Sequence, residues 1–224
     1  MKIRNKNAFF EYLDKDMSNR QHELSNIKEM VFNAKREINI KILIKSAILI
    51  LYSHWEGSVK NITKIYFYYL NSQGMKYRDL HNNYLTFGMI NKYSTDLTSR
   101  KFNDVKSVVS YLKNDINDEK FYVNVSNYVK TNGNLNTEAI TDLSDKIGIC
   151  TNGFYSKKTI IDYRLLKSRN SISHGDSSAF FDDYTKDDYI DLHDKIVELM
   201  IYFKSLVTNF VAMESYKNKV NTNT

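Results

Sequence analysis

Arg169, Asn170 and His174 stand within six positions of one another in the string Arg169-Asn170-Ser171-Ile172-Ser173-His174-Gly175-Asp176. A guanidinium, an amide and an imidazole at this spacing are the groups needed to cleave RNA without a metal. Attack of a ribose 2′-OH on the adjacent phosphorus requires a proton removed, a proton delivered to the leaving 5′-oxygen, and negative charge neutralised between the two events. Imidazole changes charge near neutrality and serves in proton transfer. Guanidinium grips phosphate oxygens bidentately and does not lose its charge. An asparagine amide can orient either the imidazole or the phosphate.

These groups need an element to hold them, and the flanking residues predict one. Thr159 followed by Asp162 reads as a capping box, Ile161, Leu165 and Ile172 keep helical spacing, and Gly175 occupies a C-cap position. The spacing predicts a helix of about 15 residues with the motif on its last turns. Asn170 and His174 then share a face as i,i+4 neighbours. Arg169 and His174 are i,i+5 and diverge by roughly 140°, so only a long, flexible side chain brings the charge back beside the imidazole. The structural alternative is a surface arginine and a histidine favoured by the negative end of the helix dipole.

The company of the pair separates these readings. An asparagine directly after the arginine, a small residue before the histidine and Gly175-Asp176 after it resemble the Arg-Asn-x3-His signature of the HEPN superfamily, small all-helical nucleotide- and RNA-binding domains that include toxin and phage-defence ribonucleases. Tyr52-Ser53-His54-Trp55-Glu56-Gly57 in an early apolar helix, and Asn134-Leu135-Asn136 before the motif, are similar to one branch of stand-alone bacterial HEPN proteins. The likeness spans roughly residues 40–210 and is thinnest at about 75–130. It implies an all-α HEPN-like bundle and a metal-independent endoribonuclease, with Arg169, Asn170 and His174 catalytic and Glu56 and Asp176 in support. One chain supplies a single motif histidine, whereas the reaction wants both an acid and a base. The resemblance implies the remedy, a two-fold dimer that places two motifs across one cleft. An antitoxin or defence-system partner belongs to the same expectation. The alternative is a non-catalytic HEPN module that binds nucleotide, RNA or a partner protein.

Charge distribution is compatible with an RNA partner. The net charge is +6. Lys157, Lys158, Arg164, Lys167 and Arg169 stand against the single acid Asp162, a basic approach that attracts phosphates. Asp176, Asp182, Asp183, Asp187, Asp188, Asp191 and Asp194 follow the motif and suit the positive N-terminus of a last helix. Lysines on a solvated helix face would look the same.

The rest of the composition bounds the fold. The 224 residues are 42% hydrophobic and contain no proline and 7 glycines, which predicts a mostly helical chain with a sizeable core. Cys150 is the single cysteine, so no intrachain disulfide forms, and no cofactor or metal is expected from the motifs present. Lys45 interrupts the apolar segment 38–52, and the basic N-terminus lacks a following apolar region. A cytoplasmic chain that does not enter the membrane is the expectation.

Periodicity orders the elements. Residues 7–37 predict one amphipathic helix with Phe10, Leu13, Met17, Leu24, Ile27 and Val31 inward. Ile44, Ile48, Leu51, Trp55, Val59, Ile62, Tyr66 and Tyr69 make an unbroken helical stripe. From Gly74 to Asn103, Asn82-Asn83, Gly88 and Ser94-Thr95 read as loop punctuation. Val105, Val108, Val109 and Leu112 predict another helix, and 121–125 fits a brief strand or a buried helical turn. Asn136 or Thr137 caps a helix closing at Gly148, and Thr185 with Asp188 caps the last one, whose face is Tyr189, Leu192, Ile196, Leu199, Phe203, Leu206 and Phe210. These assign 1–215 to one domain with an irregular insert at about 75–130, and 216–224 to a polar tail. Glu56 sits beside the core stripe, where it either pairs with Lys60 at i+4 or faces the motif helix and orients Arg169 or His174. His22, His54, His81 and His193 lack partners at metal-ligand spacing, and the tyrosines read as structural.

Overall fold

The computed structural model describes residues 3–93, 101–131, 133–150, 152–175 and 184–218. Three long helices carry the core: α1 (Lys6–Asn33), α2 (Glu37–Ser72) and a C-terminal helix, Lys186–Ala212. All eight residues of the α2 stripe are buried, because a 3.6-residue repeat keeps them on the side that α1 and the C-terminal helix cover. By length and composition α2 could cross a membrane, with a mean hydropathy of 1.2 over 18 residues. Here its stripe is spent on its helical neighbours.

Caps decide where the helices start. Asn5 accepts the Ala8 amide at 2.8 Å and opens α1. The helix stops at Asn33, short of the expected 37, and Lys186 donates to the carbonyls of Phe32 and Ala34 that its end leaves unpaired. The capping box of Thr185 and Asp188 forms as expected.

The mid-chain insert is more helical than its punctuation implied. It holds 3-10 turns at Tyr77–Asp79, Asn82–Tyr84 and Ile116–Asp118, with α3 (Leu85–Tyr93), α4 (Phe102–Asn114) and one turn of α5 (Val125–Tyr128). Gly88 is not a breaker. It lies inside α3, where a Cβ would come within 3.0 Å of Tyr77 and Ile116, so the glycine permits close packing. Ser94 and Thr95 fall outside the described residues. The stretch 121–124 is neither strand nor helix; the Asn71 side chain stands in for a partner strand by pairing with both the N–H and the C=O of Val123. Among the described residues the only β pairing is two isolated bridges.

Three more α-helices, with the π-helical stretch Thr159–Leu166 before the third, precede the last one: α6 (Thr137–Ile147), α7 (Asn152–Tyr155) and α8 (Lys167–Ser173), which makes Lys186–Ala212 α9. Asn136 caps α6 through the Ala139 amide at 2.8 Å, and Gly148 closes it at a positive φ of 93°. Tyr216 does not belong to a loose tail. It is buried, its hydroxyl meets that of Tyr69 at 3.1 Å, and the His81 amide donates to its carbonyl at 2.9 Å. The packed body therefore extends past residue 215.

Candidate active site

The motif rides on a helix of the expected extent, but of two kinds. Thr159–Leu166 is π-helical and passes without a break into α8. The Lys167 amide reaches back to the Asp162 carbonyl, five residues away, which is the wider turn of a π-helix. Asp162 does not make the capping box read from Thr159. Its carboxylate accepts the Thr137 amide at 2.8 Å and the Thr137 hydroxyl at 2.9 Å, so it secures the start of α6. An acid at that N-terminus also suits the dipole. Arg164 likewise turns to a neighbour, donating to the Asp191 carboxylate at 2.6 Å and to the Asp188 carbonyl at 3.2 Å. Partial burial works against its charge, and Asp191 and Tyr184 more than offset that, so its pKa rises.

Arg169 points inward to α2. Its guanidinium carbon lies 4.7 Å from the centre of the Tyr52 ring, and its Nη1 donates to Asn170 Oδ1 at 2.8 Å. Among the described residues no carboxylate pairs with it. Tyr52 is fixed in turn: its hydroxyl donates to the Gly133 carbonyl at 3.0 Å and accepts the Leu135 amide at 2.8 Å, while Trp55 Nε1 donates to the Leu135 carbonyl at 3.1 Å. The irregular segment around Leu135 thus braces the ring on which the arginine lies. Burial pushes the Tyr52 phenol up to about 12, so it stays protonated at neutral pH.

Glu56 is one turn along α2 from Tyr52. It accepts the Thr131 hydroxyl and lies 3.7 Å from Lys60, the i+4 pair that its spacing allows. It forms no direct ion pair with Arg169 or His174 among the described residues; Tyr52 is the neighbour that feels the charge of both Glu56 and Arg169. Glu56 also borders a polar cleft of about 470 Å³ with Asp16, Arg20, Lys60 and Lys64.

His174 is exposed and ends α8, its amide bonded to the Asn170 carbonyl at 3.0 Å. Gly175 follows at a positive φ of 71°. Asn170 and His174 share one cleft of about 350 Å³ with Asp162, Tyr163, Lys167 and Ser171. Among the described residues no hydrogen bond joins Arg169 to His174; Asn170 links them, holding the guanidinium and lining the histidine's cleft. Asp176 lies outside the described residues. Lys158 is exposed on the approach, and Lys157 borders a separate cleft with Lys195, Glu198 and Tyr202.

Among the described residues no three His, Cys, Asp or Glu side chains gather as a metal site requires. His54 meets Glu23 at 3.3 Å, and burial lowers its pKa. His193 is buried and faces Asp194 at 2.8 Å. Neither touches the motif cleft.

A family model described as HEPN_MAE_28990-like HEPN matches residues 9–216. The chain belongs to this HEPN family. The match takes in the mid-chain insert as well as α1, α2 and the motif helix, and it agrees with the all-α fold. No curated protein and no solved structure matches the chain. Tyr52 is the residue that sequence reasoning missed. Its signal was its place one helical turn before Glu56, in the same string that carried the HEPN resemblance.

Proposed function

We propose that this HEPN protein is a metal-independent endoribonuclease, acting as a toxin or phage-defence effector, with Arg169, Asn170 and His174 as its catalytic residues. One observation carries the reading: among the described residues Arg169 is oriented by an aromatic face and a neighbouring amide, with no carboxylate paired to it. An arginine held for structure normally has its charge compensated. Among the described residues this one gives a single N–H bond, to Asn170, which leaves most of its five donors for an anion.

In the proposed reaction His174 accepts the 2′-OH proton as the oxygen attacks phosphorus. Arg169 binds the non-bridging oxygens as charge builds, and the bond to the 5′-oxygen breaks as that oxygen takes a proton. The products are a 2′,3′-cyclic phosphate and a 5′-hydroxyl. The proton donor is His174 of a second copy across a two-fold axis, since each chain contributes one such group to the cleft. Lys158 and Lys167 attract the RNA backbone, and Lys157 extends that basic approach. Arg164 is left out of the contact set, because its guanidinium is engaged by α9. Glu56 acts as a positioning residue through Tyr52.

The test is incubation of purified protein with single-stranded RNA in excess EDTA and analysis of the product ends. Cleavage with cyclic phosphate ends is expected. Activity lost in EDTA and restored by magnesium or manganese would overturn the mechanism, and RNA bound but never cut would favour the non-catalytic module.

A further inference from the structure

The insert carries a helix whose apolar side faces away from the protein. In α4, Phe102, Val105, Val109 and Leu112 are 79%, 45%, 45% and 44% exposed. Their spacing of 3, 4 and 3 residues is the seam of a helix built to meet another helix. At 100° per residue the four fall within an arc of about 80°. The middle of that arc lies about 110° from the side marked by Val108 and Tyr111. That second side is the one packed on the body. Tyr111 is buried there, donates to Glu119 at 2.6 Å and lies under the Lys92 ammonium at 3.7 Å. The outer stripe is therefore a second apolar face, and four large apolar side chains aligned on one exposed helix are more than the scattered exposure of an ordinary surface.

Charge beside the stripe selects the occupant. Lys106 and Lys113, both exposed, line its outer edge beyond Phe102. A second copy packed antiparallel on the same stripe would set these two lysines against their own counterparts. A parallel pairing would need the opposite edge, which is turned toward the body. The chain as a whole is also basic, at +6. We propose that α4 is a docking surface for an amphipathic helix of a different protein, one whose apolar seam is flanked by acidic residues. Apolar side chains from the partner fill the row between Phe102 and Leu112, and its carboxylates meet Lys106 and Lys113, which supplies specificity and a faster encounter. The surface lies outside the motif cleft, so this inference stands whether or not the chain cuts RNA.

Two synthetic helical peptides of about 21 residues, with the same leucine seam but glutamate or lysine flanks, test it by fluorescence anisotropy against the full chain. The acidic peptide is expected to bind about tenfold or more tightly than the basic one. Val109→Asp should remove that binding, and the double variant Lys106→Glu with Lys113→Glu should reverse the preference. The substituted side chains are exposed, so unchanged melting curves are expected and serve as the folding control. Equal binding of both peptides, no binding of either, or binding that survives Val109→Asp overturns the proposal. Two further outcomes also overturn it. Sedimentation with phosphatidylserine vesicles that depends on Val109, without peptide binding, would assign the stripe to a lipid surface. A dimer seen by light scattering that Val109→Asp dissociates would assign it to self-association.

Discussion

The Arg169 guanidinium lies 4.7 Å from the centre of the Tyr52 ring, joining the motif helix to the most deeply packed helix of the protein. The ring holds the charge in place without cancelling it. Tyr52 therefore does two separable things: its hydroxyl braces the segment at Gly133–Leu135, and its face seats the arginine.

Substitutions at Tyr52 should separate those roles. Tyr52→Phe leaves the Leu135 amide and the Gly133 carbonyl without their partner and is expected to cost about 1–3 kcal/mol. It keeps the ring, so RNA cleavage should persist. Tyr52→Leu removes the face as well and should lower cleavage by about tenfold beyond the phenylalanine variant, the scale of a cation–π contact of about 1.4 kcal/mol. Melting curves and single-turnover cleavage, run side by side, measure the two effects. Equal rates for the two variants would mean that the ring does not position Arg169.

Arg169→Ala and His174→Ala should each reduce cleavage by about 10²–10⁴-fold while the melting temperature moves little. His174 is exposed, and among the described residues Arg169 has no buried partner charge to abandon. Glu56→Gln should do less than either, because it reaches Arg169 only through Tyr52 and costs at most the roughly tenfold lost with that ring. If either motif variant unfolds the protein, the motif is a structural fastening. If both stay folded and cut RNA normally, catalysis belongs elsewhere.

A composite site requires two chains. Light scattering at the assay concentration should report a homodimer, and dilution below the dimer's dissociation constant should abolish cleavage. A monomer that cuts RNA at an undiminished rate would reject the shared cleft.

The cap supplied by Asp162 has a measurable worth. Asp162→Ala removes the acceptor for the Thr137 amide and hydroxyl at the start of α6 and should destabilise by about 1–2 kcal/mol. Asp162→Asn keeps an acceptor oxygen and should cost less. Chemical denaturation of both variants gives the comparison; equal losses would show that the acceptor is not what stabilises α6.

Stability should also fall on the acid side through His54. Burial holds its pKa below the ordinary 6.5, against an opposing pull from Glu23. As pH drops through about 6.5 the unfolded chain takes up this proton first, so stability present above that pH is lost until the folded state is protonated too. The melting temperature should decrease between about pH 7.5 and about pH 5.5, and less steeply in His54→Gln. Parallel curves for the two proteins would assign the acid sensitivity to other groups.

Much of the fold could be read from spacing alone, since long helices announce themselves by apolar repeats. The stripe of α2 and the capping box of Thr185 and Asp188 needed no tertiary information. What escaped were features made by distant residues. The destination of Asp162 depends on where α6 begins, and the role of Gly88 depends on Tyr77 and Ile116. In the site, the i,i+4 relation placed Asn170 and His174 on one cleft, while Arg169 turned to a ring more than a hundred positions earlier in the chain. A tyrosine in an apolar helix reads as core, and Tyr52 is core; its second face becomes visible only when the motif helix is laid across it.

The π-helical turn before the motif sets an angular phase. It is pinned by Asp162 to α6 and by Arg164 to α9, and everything after Leu166 inherits its rotation. An α-helical turn closes one residue sooner, so relaxing this stretch to α geometry at unchanged length would turn Arg169, Asn170 and His174 by about 100° relative to Asp162. The arginine would then sweep off the tyrosine, with every motif residue still present. The wide turn therefore acts as an angular spacer, and the number of residues between Asp162 and Arg169 is matched to it.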